Sequence, residues 1–186
     1  MSNYNFIELD NKLFEATREA WGSVLQLEDL PFSPFGYESF LDSIGRGLAD
    51  SNTARDMKYY AVVRKGDNFA AAIFVLAYAL PKLPDAWIKV LSARTSPRLD
   101  SRWESEGEIT YSDRLLKVAS ILVSGLIAIY ELSQSDLPCK KIKIWANNQI
   151  DKALYVKFVE ELNSADSGLP DIQMDNHHNW LVCHTT

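Results

Sequence analysis

What this 186-residue chain lacks narrows its chemistry first. There are two cysteines, Cys139 and Cys183, both in strand-like segments where a thiol usually serves as a small buried hydrophobe. Nothing in their placement requires a disulfide. The three histidines, His177, His178 and His184, lie close to Cys183. A zinc site needs about four ligands converging tetrahedrally, and adjacent histidines in a turn point apart, so no metal is expected. The sequence has no Gly-x-Ser-x-Gly elbow, which excludes that form of Ser-His-Asp hydrolase. It has no Gly-x-x-x-x-Gly-Lys-Ser/Thr phosphate loop. Basic residues do not predominate: 19 Lys and Arg stand against 25 Asp and Glu, a formal charge of −6. That balance argues against bulk nucleic-acid binding, although a local basic patch is compatible with an acidic total.

Targeting signals are scarce too. Met1-Ser2-Asn3-Tyr4-Asn5 is not a basic region followed by an apolar one, so no secretory leader is expected. The longest apolar stretch, Val118 to Leu132, is shorter than the roughly 18 to 20 residues of a membrane span. It also contains Ser120, Ser124, Gly125 and Glu131, and reads as a core helix. No membrane association is expected, and a cytoplasmic location follows as the default. Without internal repeats, low-complexity runs or a linker, residues 1–186 are expected to form a single domain.

What is present is a globular composition, 47% hydrophobic and 24% charged. Tyr4 to Leu9 predicts a short strand. Asp10 or Asn11 can cap a helix whose Leu13, Phe14, Ala20, Trp21 and Val24 recur at helical spacing, with Thr17 as the one polar interruption. Prolines mark a loop at Leu30 to Gly36. A second amphipathic helix is expected over Tyr37 to Leu48, with Phe40, Leu41, Ile44 and Leu48 inward. Lys58 to Val63 and Phe69 to Tyr78, joined by the turn residues Lys65-Gly66-Asp67-Asn68, form the clearest hairpin.

The second half carries more information. A strand over Ala86 to Ala93 leads into an arginine-bearing polar loop, then a helix of about Ser112 to Leu132 that is apolar almost all round. Such a helix is expected to be central and widely covered. A strand over Cys139 to Ala146 follows, with Ile142, Ile144 and Ala146 on one face and Lys141, Lys143 and Trp145 on the other. Next comes a helix opening at Asn147-Asn148 and burying Ile150, Ala153, Leu154, Phe158 and Leu162. Ile172 to Asp175 and Trp180 to Cys183 are expected to close the chain as strands around a tight turn.

This order, β-α-α-β-β-β-α-β-α-β-β, resembles the GCN5-related N-acetyltransferase (GNAT) fold superfamily along essentially the whole chain. The resemblance implies an α/β (α+β) fold with a mixed, mainly antiparallel central sheet flanked by helices. It also implies a cleft where the strand before the central helix parts from its neighbour, holding acetyl-coenzyme A or another acyl-coenzyme A as co-substrate. Backbone groups of Val90, Leu91 and Ser92 would then receive the thioester and pantetheine. Family members usually hold the pyrophosphate on a loop of the form Gln/Arg-x-x-Gly-x-Gly/Ala. The stretch Ser92 to Ser112 has a single glycine, Gly107, among glutamates, and departs from that pattern.

Two readings of that loop stay open. Arg94, Arg98, Arg102 or Arg114 can replace the lost amide contacts, with Thr110 and Ser112 completing a phosphate pocket. Alternatively, the arginines pair with Asp100, Glu104, Glu106 and Glu108 in a solvated loop. Asn148 and Tyr155 match the family's Asn-x-x-Ala-x-x-x-Tyr spacing, with Asp151 at the alanine position. The resemblance implies that Asn148 faces the cofactor and that Tyr155 protonates the leaving thiolate. In the other reading Tyr155 packs beside Leu154 and Phe158, and Asn147 or Asn148 caps the helix. The general base is not legible: Asp85, Glu104, Glu106 and Glu108 qualify by position only.

The implied activity is N-acyl transfer to an amine, on a small molecule or a protein, by direct attack in a ternary complex. The competing reading is a catalytically inactive GNAT-like binding or regulatory protein. Trp21, Phe32, Phe35, Trp103 and Trp145 would mark its partner surface. A homodimer is compatible with either.

Overall fold

The first helix starts where a side chain can accept from its free amides. The computed structural model describes residues 3–27, 36–50, 56–79, 85–99, 111–146, 156, 173–177 and 180–184. Asp10 caps α1 (Asn11–Leu27), its Oδ1 accepting from the Leu13 amide at 2.7 Å. The same helix explains its own polar interruption. Thr17 is fully buried; its hydroxyl donates to the Leu13 carbonyl at 2.7 Å and accepts from the Ala70 amide at 2.9 Å. One turn on, the fully buried Trp21 donates its indole N–H to the Ala70 carbonyl at 2.9 Å. Residues i and i+4 of α1 therefore bracket both polar groups of one strand residue, and no buried backbone group is left unpaired there.

Two compact units divide the chain, with boundaries inside β3, β4 and α3. In the first, β1 (Tyr4–Glu8) pairs antiparallel with β2 (Met57–Arg64), from Tyr4 opposite Arg64 to Glu8 opposite Tyr60. The turn into β3 (Ala70–Ala79) is made by Gly66, whose φ of +95° favours glycine. Phe6 stacks on Tyr60 at 4.9 Å and meets Phe74 edge-on at 5.9 Å. α2 (Tyr37–Ala49) buries Tyr37, Phe40, Leu41 and Ile44 and leaves Leu48 half-buried.

In the second unit, β4 (Trp87–Thr95, its last three residues belonging to the first unit) runs parallel to β5 (Lys141–Trp145). β5 pairs antiparallel with β7 (Trp180–His184), and β7 with β6 (Gln173–His177). Among the described residues, seven strands are hydrogen-bonded in the order β1-β2-β3-β4-β5-β7-β6. The mixed, mainly antiparallel sheet expected from the sequence is thus present, with the parallel pair joined through α3 (Tyr111–Gln134).

Several boundaries differ from the reading of the sequence. The second strand of the parallel pair begins at Lys141, because Cys139 still belongs to the connection, where its thiol meets the Lys141 carbonyl at 3.4 Å. Both cysteines are free thiols. β4 runs to Thr95 and is followed by a short 3-10 helix over Pro97–Leu99, so ordered backbone takes up the start of the expected loop. β6 extends to His177, which pairs with Trp180. The expected helix over residues 147–162 lies outside the described residues, apart from the helical Val156.

α3 departs most from expectation. Its fully buried residues form one line, Ile121, Gly125, Ile129 and Ser133, whereas Leu116 is 69% exposed. The apolar stretch Leu116–Gln134 is also 19 residues long, enough by length and composition to cross a membrane. The shorter reading stopped at Leu132, before the helix does. Gly125 sits against the ring of Phe74, where an added Cβ would overlap the ring carbons. This places the helix close on β3 of its own unit.

Candidate functional site

The parallel pair is where the sheet changes character. Its register runs from Trp87 opposite Lys141 to Val90 opposite Ile144, and β4 then continues for five more residues. The pairing stops at Val90 and Ile144, so Leu91, opposite the end of β5 at Trp145, and Ser92 lie beyond the last paired position. Val90 is buried at 3% exposure and faces the core with Ile88, Ile142 and Ile144; Leu91 and Ser92 are half-buried. A strand that outruns its parallel neighbour presents backbone N–H and C=O groups to whatever enters beside it. These are the three residues singled out from the sequence for thioester and pantetheine contacts.

The arginines separate into two cases. Arg94, in the first unit, lays its guanidinium over the rings of Tyr37 (5.4 Å) and Phe40 (5.3 Å) and lies close to Gly36. Gly36 precedes α2 with a φ of 64°, which lets the backbone approach this side chain. The Tyr37 hydroxyl donates to the Thr95 carbonyl at 3.1 Å, so the start of α2 is fastened to the end of β4 through two neighbouring residues. Arg98, in the 3-10 helix, is exposed. Ser112 falls in the first turn of α3, where backbone amides are free of intrahelical partners. Thr110, Asn148 and Tyr155 lie outside the described residues, as do Arg102, Phe32, Phe35 and Trp103.

One aromatic assignment needs correction. Trp21, read as a partner-surface residue, is wholly buried and hydrogen-bonded, because its indole is needed by the Ala70 carbonyl. Trp145 is half-buried against Trp180, with ring centroids 5.0 Å apart. Of the carboxylates proposed by position, Asp85 is exposed and the others fall outside the described residues. The contact of Arg94 with Tyr37 and Phe40 was missed by sequence reasoning. The residues stand 57 and 54 positions apart, and no local signal in the sequence connects them.

Burial acts on four weakly acidic side chains in one direction. It raises Tyr59 and Tyr78 above the usual phenol range, and the Tyr78 hydroxyl donates to the Pro138 carbonyl at 2.9 Å. The Cys183 thiol is pushed up to about 11 by burial, and Cys139 is raised as well. Both cysteines are therefore neutral and poor nucleophiles near pH 7.

The chain is thus an α/β protein in which a parallel strand pair, linked through a helix, interrupts an otherwise mainly antiparallel sheet. That arrangement is the fold of the GCN5-related N-acetyltransferases. It is similar to AtaTR, whose structure contains acetyl-coenzyme A: 13% identity, 100% of this chain and 95% of that one covered, TM-score 0.51. A probable acetyltransferase from Staphylococcus epidermidis ATCC 12228 is similar at 12% identity, with 98% and 99% covered and a TM-score of 0.52. No protein-family profile and no curated protein matches the sequence.

Proposed function

We propose that the chain is an acyl-coenzyme A-dependent N-acyltransferase, with acetyl-coenzyme A as the first co-substrate to test. The observation that carries this reading is the end of the β4–β5 register at Val90, which leaves Leu91 and Ser92 beyond the last paired position. An extended chain bearing amide and thioester groups can be read there by backbone hydrogen bonds without any particular side chain. Val90, Leu91 and Ser92 are assigned to the thioester and pantetheine. Arg94, Arg98, Thr110 and Ser112 are assigned to the phosphates, with Asn148 facing the same ligand. A neutral amine attacks the thioester carbonyl, the carbon–sulfur bond breaks, Tyr155 gives its proton to the departing thiolate, and the new amide nitrogen sheds its extra proton to solvent, from which Tyr155 is reprotonated. The AtaTR complex supports the choice of ligand, as a neighbour in fold.

A second reading, a GNAT-like binding or regulatory protein without transfer activity, is favoured by one observation. Arg94, a candidate phosphate ligand, is already placed over Tyr37 and Phe40. Thermal unfolding with acetyl-, propionyl- and longer acyl-coenzyme A separates the two. Ligand at about a hundred times its dissociation constant adds roughly 2.7 kcal/mol to stability. Absence of a shift with every thioester eliminates the transferase reading. Where a shift is found, Tyr155→Phe is expected to lower the chemical rate and leave the shift in place; unchanged turnover removes Tyr155 from the mechanism.

A further inference from the structure

One face of the second unit's sheet combines indole rings with positive charge, and the acyl-transfer reading does not use it. Strand residues alternate between faces. Ile88, Val90, Ile142, Ile144, Leu181 and Cys183 form the core face, none more than 6% exposed. Trp87 and Lys89 of β4, Lys141, Lys143 and Trp145 of β5, and Trp180 of β7 take the other face, and all six are half-buried.

The placement of the lysines is unusual for a sheet that has to stand alone. Lys89 and Lys143 are directly opposite in the parallel register, and Lys141 is opposite Trp87. Adjacent strands are about 4.8 Å apart, so two ammonium stems rise side by side. Like charges in that position repel. Among the described residues, none of the three lysines forms an ion pair with a carboxylate. Instead the ammonium groups of Lys89 and Lys143 rest on indoles. Lys143 Nζ lies 4.6 Å from the centre of the Trp87 ring, and Lys89 Nζ lies 5.7 Å from Trp87 and 5.5 Å from Trp180. A cation–π contact holds the charge but accepts none of the three N–H donors on each ammonium. The Trp87 indole N–H, which is out of solvent, has no acceptor. The cluster has donors and positive charge in excess, and lacks an anion with several acceptor oxygens.

The indoles narrow the choice of anion. A simple carboxylate or phosphate satisfies the lysines but makes no stacking contact with the half-buried rings of Trp145 and Trp180, which meet each other edge-on. A planar apolar ring does the reverse. A phosphate joined to a flat heterocycle answers both, the phosphate oxygens bridging the two ammonium groups and the base packing against indole. We propose that the face bearing Trp87, Lys89, Lys143, Trp145 and Trp180 binds a nucleotide, its phosphate on the Lys89–Lys143 pair and its base on the tryptophans. The inference does not rest on the acyl-transfer reading, because the probe that tests it carries no thioester.

The test is a titration of the full chain with adenosine monophosphate, followed by the indole ¹H–¹⁵N signals. The signals of Trp87, Trp145 and Trp180 are expected to move together and saturate. That of Trp21, wholly buried and bonded to the Ala70 carbonyl, stays still and serves as the internal reference. Adenosine and inorganic phosphate, titrated separately, each bind more weakly. Substituting both lysines, Lys89→Met with Lys143→Met, weakens binding by about tenfold or more, as loss of charge-assisted contacts requires. No saturating shift, or a shift that persists in the double variant, overturns the proposal. So does a single-stranded oligonucleotide that binds far more tightly than the mononucleotide with the same three signals moving, since the occupant is then a strand. If the double variant does not fold, the wild-type pattern still decides: movement of Trp21 equal to the other three means no site on this face.

Discussion

Replacing Thr17 by valine keeps the shape of the side chain and removes the acceptor that holds the Ala70 amide at 2.9 Å. Thr17 is fully buried, so water cannot take over the bond, and the orphaned amide costs about 1–3 kcal/mol. The methyl that replaces the hydroxyl returns about 0.8 kcal/mol through burial. A net loss of about 1–2 kcal/mol is expected, which in a chain of this length lowers Tm by about 2–8 °C. Amide hydrogen exchange localises the effect. Ala70 is expected to lose about tenfold in protection for each 1.4 kcal/mol of local stability, while amides remote from α1 change only with global stability. Thr17→Ser retains the hydroxyl and is expected to keep Ala70 protected, losing only the burial of one methyl. Trp21→Phe frees the other side of the same residue, since the indole binds the Ala70 carbonyl. The two substitutions should therefore be non-additive. A valine variant as stable as the wild type, with Ala70 protection unchanged, refutes the idea that this pair fastens α1 to β3.

Two further expectations concern single positions. Gly125→Ala improves helix propensity by up to about 1 kcal/mol, yet its Cβ would meet the buried ring of Phe74. Overpacking costs about 1–3 kcal/mol, so a lower urea midpoint is expected, with recovery when Phe74→Leu is added. Cys183, held up to about 11 by burial, stays protonated in the folded chain while the unfolded thiol ionises near pH 8.5–9. Its contribution is fully present below that range and falls as pH rises towards 11, by about 2–3 kcal/mol in all. The difference in unfolding free energy between wild type and Cys183→Val should shrink or reverse across this window. A difference independent of pH shows that the thiol is not desolvated.

Much of the fold was legible because it rests on local, periodic signals. Asp10 capping α1, the hairpin turning at Gly66 and the alternation of Ile142 and Ile144 with Lys141 and Lys143 each follow from spacing within a few residues. What the spacing did not reveal depends on residues far apart in the chain. Thr17 looked like a flaw in an apolar face because its partner, Ala70, lies 53 residues away. Trp21 looked free for a partner for the same reason, its acceptor being 49 residues distant. Of the candidate site, Val90, Leu91 and Ser92 were assigned through the resemblance; the structure puts all three on β4, where the parallel register ends at Val90. The engagement of Arg94 with Tyr37 and Phe40 was not legible, since composition says only that an arginine is present and not which ring it meets.

The buried line of α3 has a geometric consequence. Each residue turns an α-helix by about 100°, so a step of four overshoots a full turn by about 40°. From Ile121 through Gly125 and Ile129 to Ser133 the contact line therefore winds about a third of the way around the cylinder. A straight apolar stripe would lose its contact by the second turn. Leu122, Leu126, Ile127 and Tyr130, each half-buried, flank the line as it migrates. An apolar composition spread around the circumference is what a long helix needs to follow a surface that twists beneath it.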